Sequence, residues 1–159
     1  MSTNTGNLYN LAGTQLQKGA CVVIVQTEWN EVAIAALHSG CTTILQSKAV
    51  TYKTITVPGA FEIPYAIKKY WDQHKYREDK PHAFIALGCV IKGDTPHFEY
   101  VCNAVTNGIL QLNLSLPVPT IFGVLTVNNQ LQVDERLGGK HGHKGEEAAI
   151  TAIKMISLF

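Results

Sequence analysis

Between Tyr100 and Val133 the sequence contains no Asp, Glu, Lys, Arg or His. Other things are missing as well. No apolar stretch is long enough to span a bilayer, so no segment reads as a membrane span. Residues 1–18 lack a basic start followed by an apolar core, so they do not read as a secretory signal. The formal net charge is only +1, which argues against broad nucleic-acid binding. The four cysteines, Cys21, Cys41, Cys89 and Cys102, have no paired metal-ligand spacing. At least two fall in apolar runs, which reads as buried, reduced thiols of a cytosolic protein rather than as a disulfide framework. There is no internal repeat and no low-complexity linker. At 159 residues the chain suits one domain, 1–159, with a proper core and an extended N-terminal segment over 1–18.

What is present is an alternation of strand-like and helix-like patterns. Cys21–Val25 is a short β-branched run suited to a strand covered on both faces. After Asn30, read as a helix cap, Ala33, Ala36, Leu37, Gly40, Cys41 and Ile44 fall on one helical face. Tyr52–Val57 reads as a second strand, ended by Pro58-Gly59. Ile63, Ala66, Ile67 and Tyr70 mark a helix that tolerates Pro64 only in its first turn. Lys75–Lys80, closed by Pro81, is an exposed loop. A buried strand over His82–Ile91 and a long helix from Pro96 to about Ser115 follow, then a strand at Thr120–Leu125. A short helix from Asn129 to about Leu137 begins with Asn129-x-x-Gln132, similar to a capping box. A glycine-broken loop leads to a last helix from about Gly145. Repeated βα units with buried strands imply an α/β fold, a parallel sheet between layers of helices.

The charge-free span covers most of the long helix and the strand after it. Its far face carries Asn103, Thr106, Asn107 and Gln111, polar but uncharged. An outward helix face of a monomer ordinarily carries charge. Either the span is all core, or it meets another subunit. The outer helices of a parallel sheet rarely hide both faces, and charge depletion fits an interface.

Chemistry concentrates at three strand ends and one loop. Gly88–Glu99 takes a buried strand through Lys92-Gly93 into Asp94-Thr95, two good N-cap types, and Pro96 at the expected first helical position. Free N–H groups and the positive dipole end there suit an anion, phosphate above all, and His97 adds a titratable imidazole. The same pattern also describes an ordinary strand–turn–helix junction with a surface histidine. Trp29-Asn30 follows the first strand at the edge where open α/β sheets bind ligands; the ring could stack a heterocycle or cover the core. In Val57–Glu62, Gly59 and Ala60 permit close approach of a ligand, and Glu62 can cap a helix or accept a ligand hydrogen bond. Arg136, Lys140, His141, His143 and Lys144 form a basic, glycine-rich stretch, which reads either as a phosphate site or as a solvated loop. No carboxylate or thiol at ligand spacing accompanies its histidines, so no metal site is expected.

Three motifs taken together carry a resemblance: Val57–Pro64 (VPGAFEIP), Gly93–Glu99 (GDTPHFE) and Gly138–Gly145 (GGKHGHKG). From roughly Cys21 to the C-terminus, in order and with matching spacing, the chain resembles the 6,7-dimethyl-8-ribityllumazine synthases of riboflavin biosynthesis. The resemblance implies a flavodoxin-like three-layer α/β/α sandwich with a four-stranded parallel sheet. It also implies an N-terminal segment, here Leu8–Leu11, that adds a strand to a neighbour's sheet. The implied reaction condenses 5-amino-6-(D-ribitylamino)uracil with 3,4-dihydroxy-2-butanone 4-phosphate, releasing phosphate and water, with no cofactor.

Residue by residue, the resemblance places Trp29 where an aromatic ring, often Phe, stacks on the pyrimidine. Asn30, Gly59, Ala60, Phe61, Glu62, Val90 and Ile91 match the wall around the pyrimidine and ribityl chain. The Lys92, Gly93, Asp94, Thr95 turn and Arg136 match the phosphate site, and His97 the proton shuttle. Phe122, Arg136 and Lys144 match residues donated by the adjacent subunit. Trp29 in place of Phe suggests tighter flavin stacking, and Arg136 matches the ordinary biosynthetic type. Further implications are a homopentamer, a sixty-subunit icosahedral shell from the Gly138–Gly142 loop, riboflavin synthase as a partner and a cytoplasmic location, with neither nucleic acid nor membrane involved. The alternative on the same scaffold is a non-catalytic flavin-binding or storage protein. A signalling or mononucleotide-binding module is disfavoured, because no acidic cluster follows the first strand.

Overall fold

Strand residues that must be covered on both faces cannot alternate with polar ones, and the central strands here do not. In the computed structural model, which describes residues 8–16 and 18–158, β1 (Cys21–Thr27) and β3 (Ala83–Ile91) are almost wholly buried. They form the middle of a four-stranded sheet ordered β2-β1-β3-β4, with β2 at Thr51–Val57 and β4 at Thr120–Val127. Every neighbouring pair in it is parallel. Helices α1 (Glu31–Ser47) and α5 (Lys144–Ile156) cover one face, α2 (Ile63–His74) and α3 (His97–Ser115) the other.

Alternation along each strand feeds two separate cores. Val22 and Ile24 join Leu37, Cys41, Ala149 and Ile153, whereas Val23 and Val25 join Ile63, Ile67, Val105 and Ile109. Each fully buried aliphatic side chain contributes about 1.5–3 kcal/mol, so both helical layers are firmly held to the sheet. This is the flavodoxin-like α/β/α sandwich that the family resemblance implies. Its order reverses between β1 and β3, and the crevice at their carboxyl ends is where such sheets take ligands.

Four local readings are corrected. Asn30 does not cap α1 through its side chain: its backbone is left-handed (φ 60°, ψ 48°), and its amide Nδ2 donates to the Cys89 carbonyl at 2.8 Å. Helix α3 starts at His97, one residue later than expected. Pro96 holds the cap position, its carbonyl accepts from Glu99 N–H at 3.1 Å, and no side chain caps the helix. Asp94 and Thr95 stay exposed ahead of it. The short helix α4 spans only Gln130–Asp134; Asn129 caps it by accepting from Gln132 N–H, and Gln132 Oε1 accepts in return from Asn128 N–H. The glycine-broken loop after it is a two-stranded antiparallel hairpin, β5 (Leu137–Gly139) and β6 (Gly142–His143). Gly138 (φ 104°) and Gly142 (φ 74°) supply its left-handed turn positions.

Of the expected N-terminal segment, residues 1–7 and 17 lie outside the described residues. Leu8–Leu11 forms no strand; Leu11 and Leu16 pack on the chain's own core. The four cysteines are free thiols. Burial pushes the Cys41 thiol up to about 12 and that of Cys89 up to about 11. Among the described residues no helix is long and apolar enough to cross a membrane.

Candidate active site

The carboxyl ends of β1 and β3 open into a cavity of about 520 Å³. Trp29 and Asn30 enter it from the turn after β1, Val90 and Ile91 from the end of β3, and His97 from the first turn of α3. Gly59, Ala60, Phe61 and Glu62 come from the short 3-10 turn (Ala60–Glu62) and the residue before it, between β2 and α2. Two aromatic rings stand uncovered at this edge, Trp29 at 73 % and Phe61 at 63 % exposure. Exposed rings at the mouth of a cavity are available to a ligand or to a second chain.

The local geometry is tight. A Cβ on Gly59 would fall 3.1 Å from Glu62 Oε2 and 3.8 Å from Trp29 Cδ1. The bare backbone at Gly59 therefore leaves room for the Glu62 carboxylate, while the indole edge stands at ordinary contact distance. Glu28 N–H donates to the Val57 carbonyl at 2.9 Å, and Thr27 Oγ1 donates to the Trp29 carbonyl at 3.4 Å. With the Asn30–Cys89 bond, these contacts tie the turn after β1 to the carboxyl ends of β2 and β3.

A second cavity, about 730 Å³, runs along β4 and the start of α5. Phe122, Arg136 and Lys144 line it, together with Glu147 and Leu8. Arg136 Nη1 donates to the Gln132 carbonyl at 2.9 Å, closing the end of α4. Lys144 Nζ pairs with Glu147 Oε2 at 2.7 Å. Lys144 N–H donates to the Arg136 carbonyl at 2.9 Å, which joins the two residues at the base of the hairpin. The two cavities have no lining residue in common.

One copy of the chain thus gathers Trp29, Asn30, the Gly59–Glu62 segment, Val90, Ile91 and His97 around one cavity, and Phe122, Arg136 and Lys144 around another. Lys92, Asp94 and Thr95 line neither. They form the exposed connection between Ile91 and His97, where Lys92 N–H donates to the Val127 carbonyl and Lys92 Nζ lies 3.5 Å from Glu99 Oε1.

Comparison with known proteins decides the family. The family model of 6,7-dimethyl-8-ribityllumazine synthase matches residues 19–159. The 6,7-dimethyl-8-ribityllumazine synthase of Porphyromonas gingivalis is 44 % identical over 163 aligned positions, covering 99 % of this chain and 98 % of that one. The chain belongs to the 6,7-dimethyl-8-ribityllumazine synthase family. Synthases of the same name from Bacteroides fragilis (44 % identical, 85 % of this chain and 93 % of the relative) and Flavobacterium psychrophilum (46 %, 85 % and 70 %) agree. Lumazine synthases are transferases of riboflavin biosynthesis.

In the sequence Glu147 shows only as an acid in the first turn of the last helix, where it favours the helix start. In this lumazine synthase scaffold it is the carboxylate that holds Lys144. Its side chain is only 14 % exposed, and its buried Oε1 has no hydrogen-bond partner among the described residues. The signal in the sequence was the i,i+3 spacing of Lys144 and Glu147 on one helical face. Among the described residues no three His, Cys, Asp or Glu side chains cluster as metal ligands.

Proposed function

We propose that this chain condenses 5-amino-6-(D-ribitylamino)uracil with 3,4-dihydroxy-2-butanone 4-phosphate to 6,7-dimethyl-8-ribityllumazine, phosphate and water. The observation that carries the reading is the rim cavity. In a chain of this family, an open indole face, a bare Gly59 backbone, a carboxylate at Glu62 and the His97 imidazole converge at the switch point of the sheet. The indole of Trp29 stacks on the pyrimidine, and Gly59–Glu62 with Asn30, Val90 and Ile91 encloses it and the ribityl chain. Imine formation, phosphate elimination and ring closure each move protons, and His97 relays them. The phosphate sits between the uncapped N–H groups at the start of α3, with the Lys92–Thr95 turn, and the Arg136 guanidinium, whose planar fork suits it. Holding two substrates together supplies much of the rate, without a covalent enzyme intermediate or a metal.

Arg136, Lys144 and Phe122 belong to the cavity along β4, so the reading requires a neighbouring copy to bring them to the rim of the first. The charge-free span supports such an assembly. Tyr100, Leu131 and the i,i+4 pair Leu110 and Leu114 on α3 are apolar and exposed there, a surface that favours burial against another subunit. We read the assembly as a homopentamer and, from the Gly138–Gly142 hairpin, as a closed shell of sixty subunits. Each subunit is a single domain over 1–159, in the cytoplasm, with riboflavin synthase as a partner enzyme. Arg136 fits the ordinary biosynthetic type.

The test is an absorbance assay of lumazine formation with both substrates and the assembled protein. Product confirms the synthase. Flavin binding without product would establish the storage protein instead, for which Trp29 is the sole encouragement.

A further inference from the structure

The motif Gly138–Gly145 contains a histidine that the proposed reaction does not use, and its surroundings show a fitted seat. Helix α1 has no side chain at Gly40, and the His143 ring occupies that space. A Cβ there would fall 2.3 Å from His143 Cε1, 2.6 Å from Nδ1 and 2.9 Å from Nε2. One turn earlier on the same helix, the start of α5 comes just as close: a Cβ on Gly145 would lie 2.1 Å from the Leu37 carbonyl oxygen. His143 also caps α5, its Nδ1 accepting from Glu146 N–H at 3.5 Å. Across the hairpin it pairs with Leu137. The next position along the chain, Lys144, is the one whose N–H is bound to the Arg136 carbonyl.

Arg136 and Lys144 are each held by a contact within their own short stretch, to Gln132 and Glu147 respectively. Arg136 follows α4, whose Val133 is buried in the core, and Lys144 opens α5; between these two anchors the hairpin reaches α1 at the ring of His143. We infer that His143 is a positioning residue: lodged over Gly40, it fixes the hairpin on α1 and thereby sets where Arg136 and Lys144 stand for the phosphate of the butanone substrate. The inference rests on the phosphate reading given above.

The experiment varies both substrates in steady-state kinetics of the assembled protein, alongside near-UV circular dichroism and particle size. His143→Ala should raise the KM for the butanone phosphate by roughly tenfold, within the range that misplacement of about 1 Å produces, and leave the KM for the pyrimidine essentially unchanged. Gly40→Ala, which evicts the ring from the opposite side, should have the same signature. The double variant Gly40→Ala/His143→Asn should recover most of the loss. Asparagine is a good cap acceptor, and its shorter side chain leaves room for the new methyl. Arg136→Ala, run in parallel, separates the two claims. If it leaves the phosphate-substrate KM unmoved, the phosphate reading and this inference fall together. If Arg136→Ala moves it and a folded His143→Ala does not, or raises both KM values equally, His143 has no positioning role. Should His143→Ala fail to fold, the Gly40→Ala pair decides: a double variant no better than Gly40→Ala alone overturns the inference.

Discussion

Asn30 offers a perturbation that separates backbone geometry from side-chain bonding. At φ 60°, ψ 48° an alanine pays about 1–2 kcal/mol that asparagine largely avoids. Loss of the 2.8 Å bond from Nδ2 to the Cys89 carbonyl removes about 1 kcal/mol more. Asn30→Ala should therefore destabilise the fold by roughly 2–3 kcal/mol. Asn30→Gly restores the backbone freedom but not the bond, and should lose about 1.5–2 kcal/mol once glycine's greater unfolded-state freedom is included. Asn30→Asp tolerates the left-handed backbone but sets a carboxylate against a carbonyl, so it should do no better than glycine. Urea unfolding at one fixed protein concentration reads these values. The pyrimidine KM should follow the same order, because Trp29 is the preceding residue. Alanine no worse than glycine would show that the left-handed turn is not required, and glycine equal to the native residue would remove the amide bond from the account.

Arg136→Ala should weaken use of the phosphate substrate by roughly ten- to a hundred-fold with fold and assembly intact, and Arg136→Lys should recover little; an unchanged KM and rate would place the phosphate elsewhere. His97→Ala should lower turnover by about ten- to a thousand-fold while pyrimidine binding survives; full activity together with a pH–rate profile flat near neutrality would remove it from the chemistry. Light scattering and electron microscopy over a range of pH and phosphate should find hollow shells, and a lone pentamer under every condition would defeat the shell while leaving the enzyme. With the Cys41 thiol pushed up to about 12 and that of Cys89 to about 11, alkylation of both in the folded protein should be far slower than for free cysteine and should rise with pH toward those values. Labelling of Cys41 at the free-thiol rate would contradict its burial.

Much of the fold was legible because each buried strand carries its own signature. Cys21–Val25 and Ala83–Ile91 are covered on both faces, which leaves a continuous apolar run, and Pro64 and Pro96 mark helix starts to within a residue or two. The hairpin at Leu137–His143 was not legible. Its strands are too short and glycine-rich to alternate, and its pairing depends on positive φ at Gly138 and Gly142. Asn30 looked like a cap because asparagine serves both as cap and as left-handed residue, and only the position of the Cys89 carbonyl decides between them. The grouping of Trp29, Gly59–Glu62 and His97 follows from strand ends sharing one sheet edge. Gly40 showed as part of the apolar face of its helix but not as a seat for His143, because that role is the absence of a side chain opposite a ring far away in sequence.

That the two cavities share no lining residue has a genetic consequence. If each working centre joins the β1–β3 rim of one copy to the β4 edge of another, a chain crippled at His97 and a chain crippled at Arg136 complement each other when produced in the same cell. Random mixing in equal amounts would leave roughly one centre in four built from two sound halves. A chain carrying both lesions, co-produced with the sound one, would spoil centres on either side of itself. The lesions are thus recessive toward each other yet costly toward the intact copy, a pattern of inheritance that a self-contained site would not show.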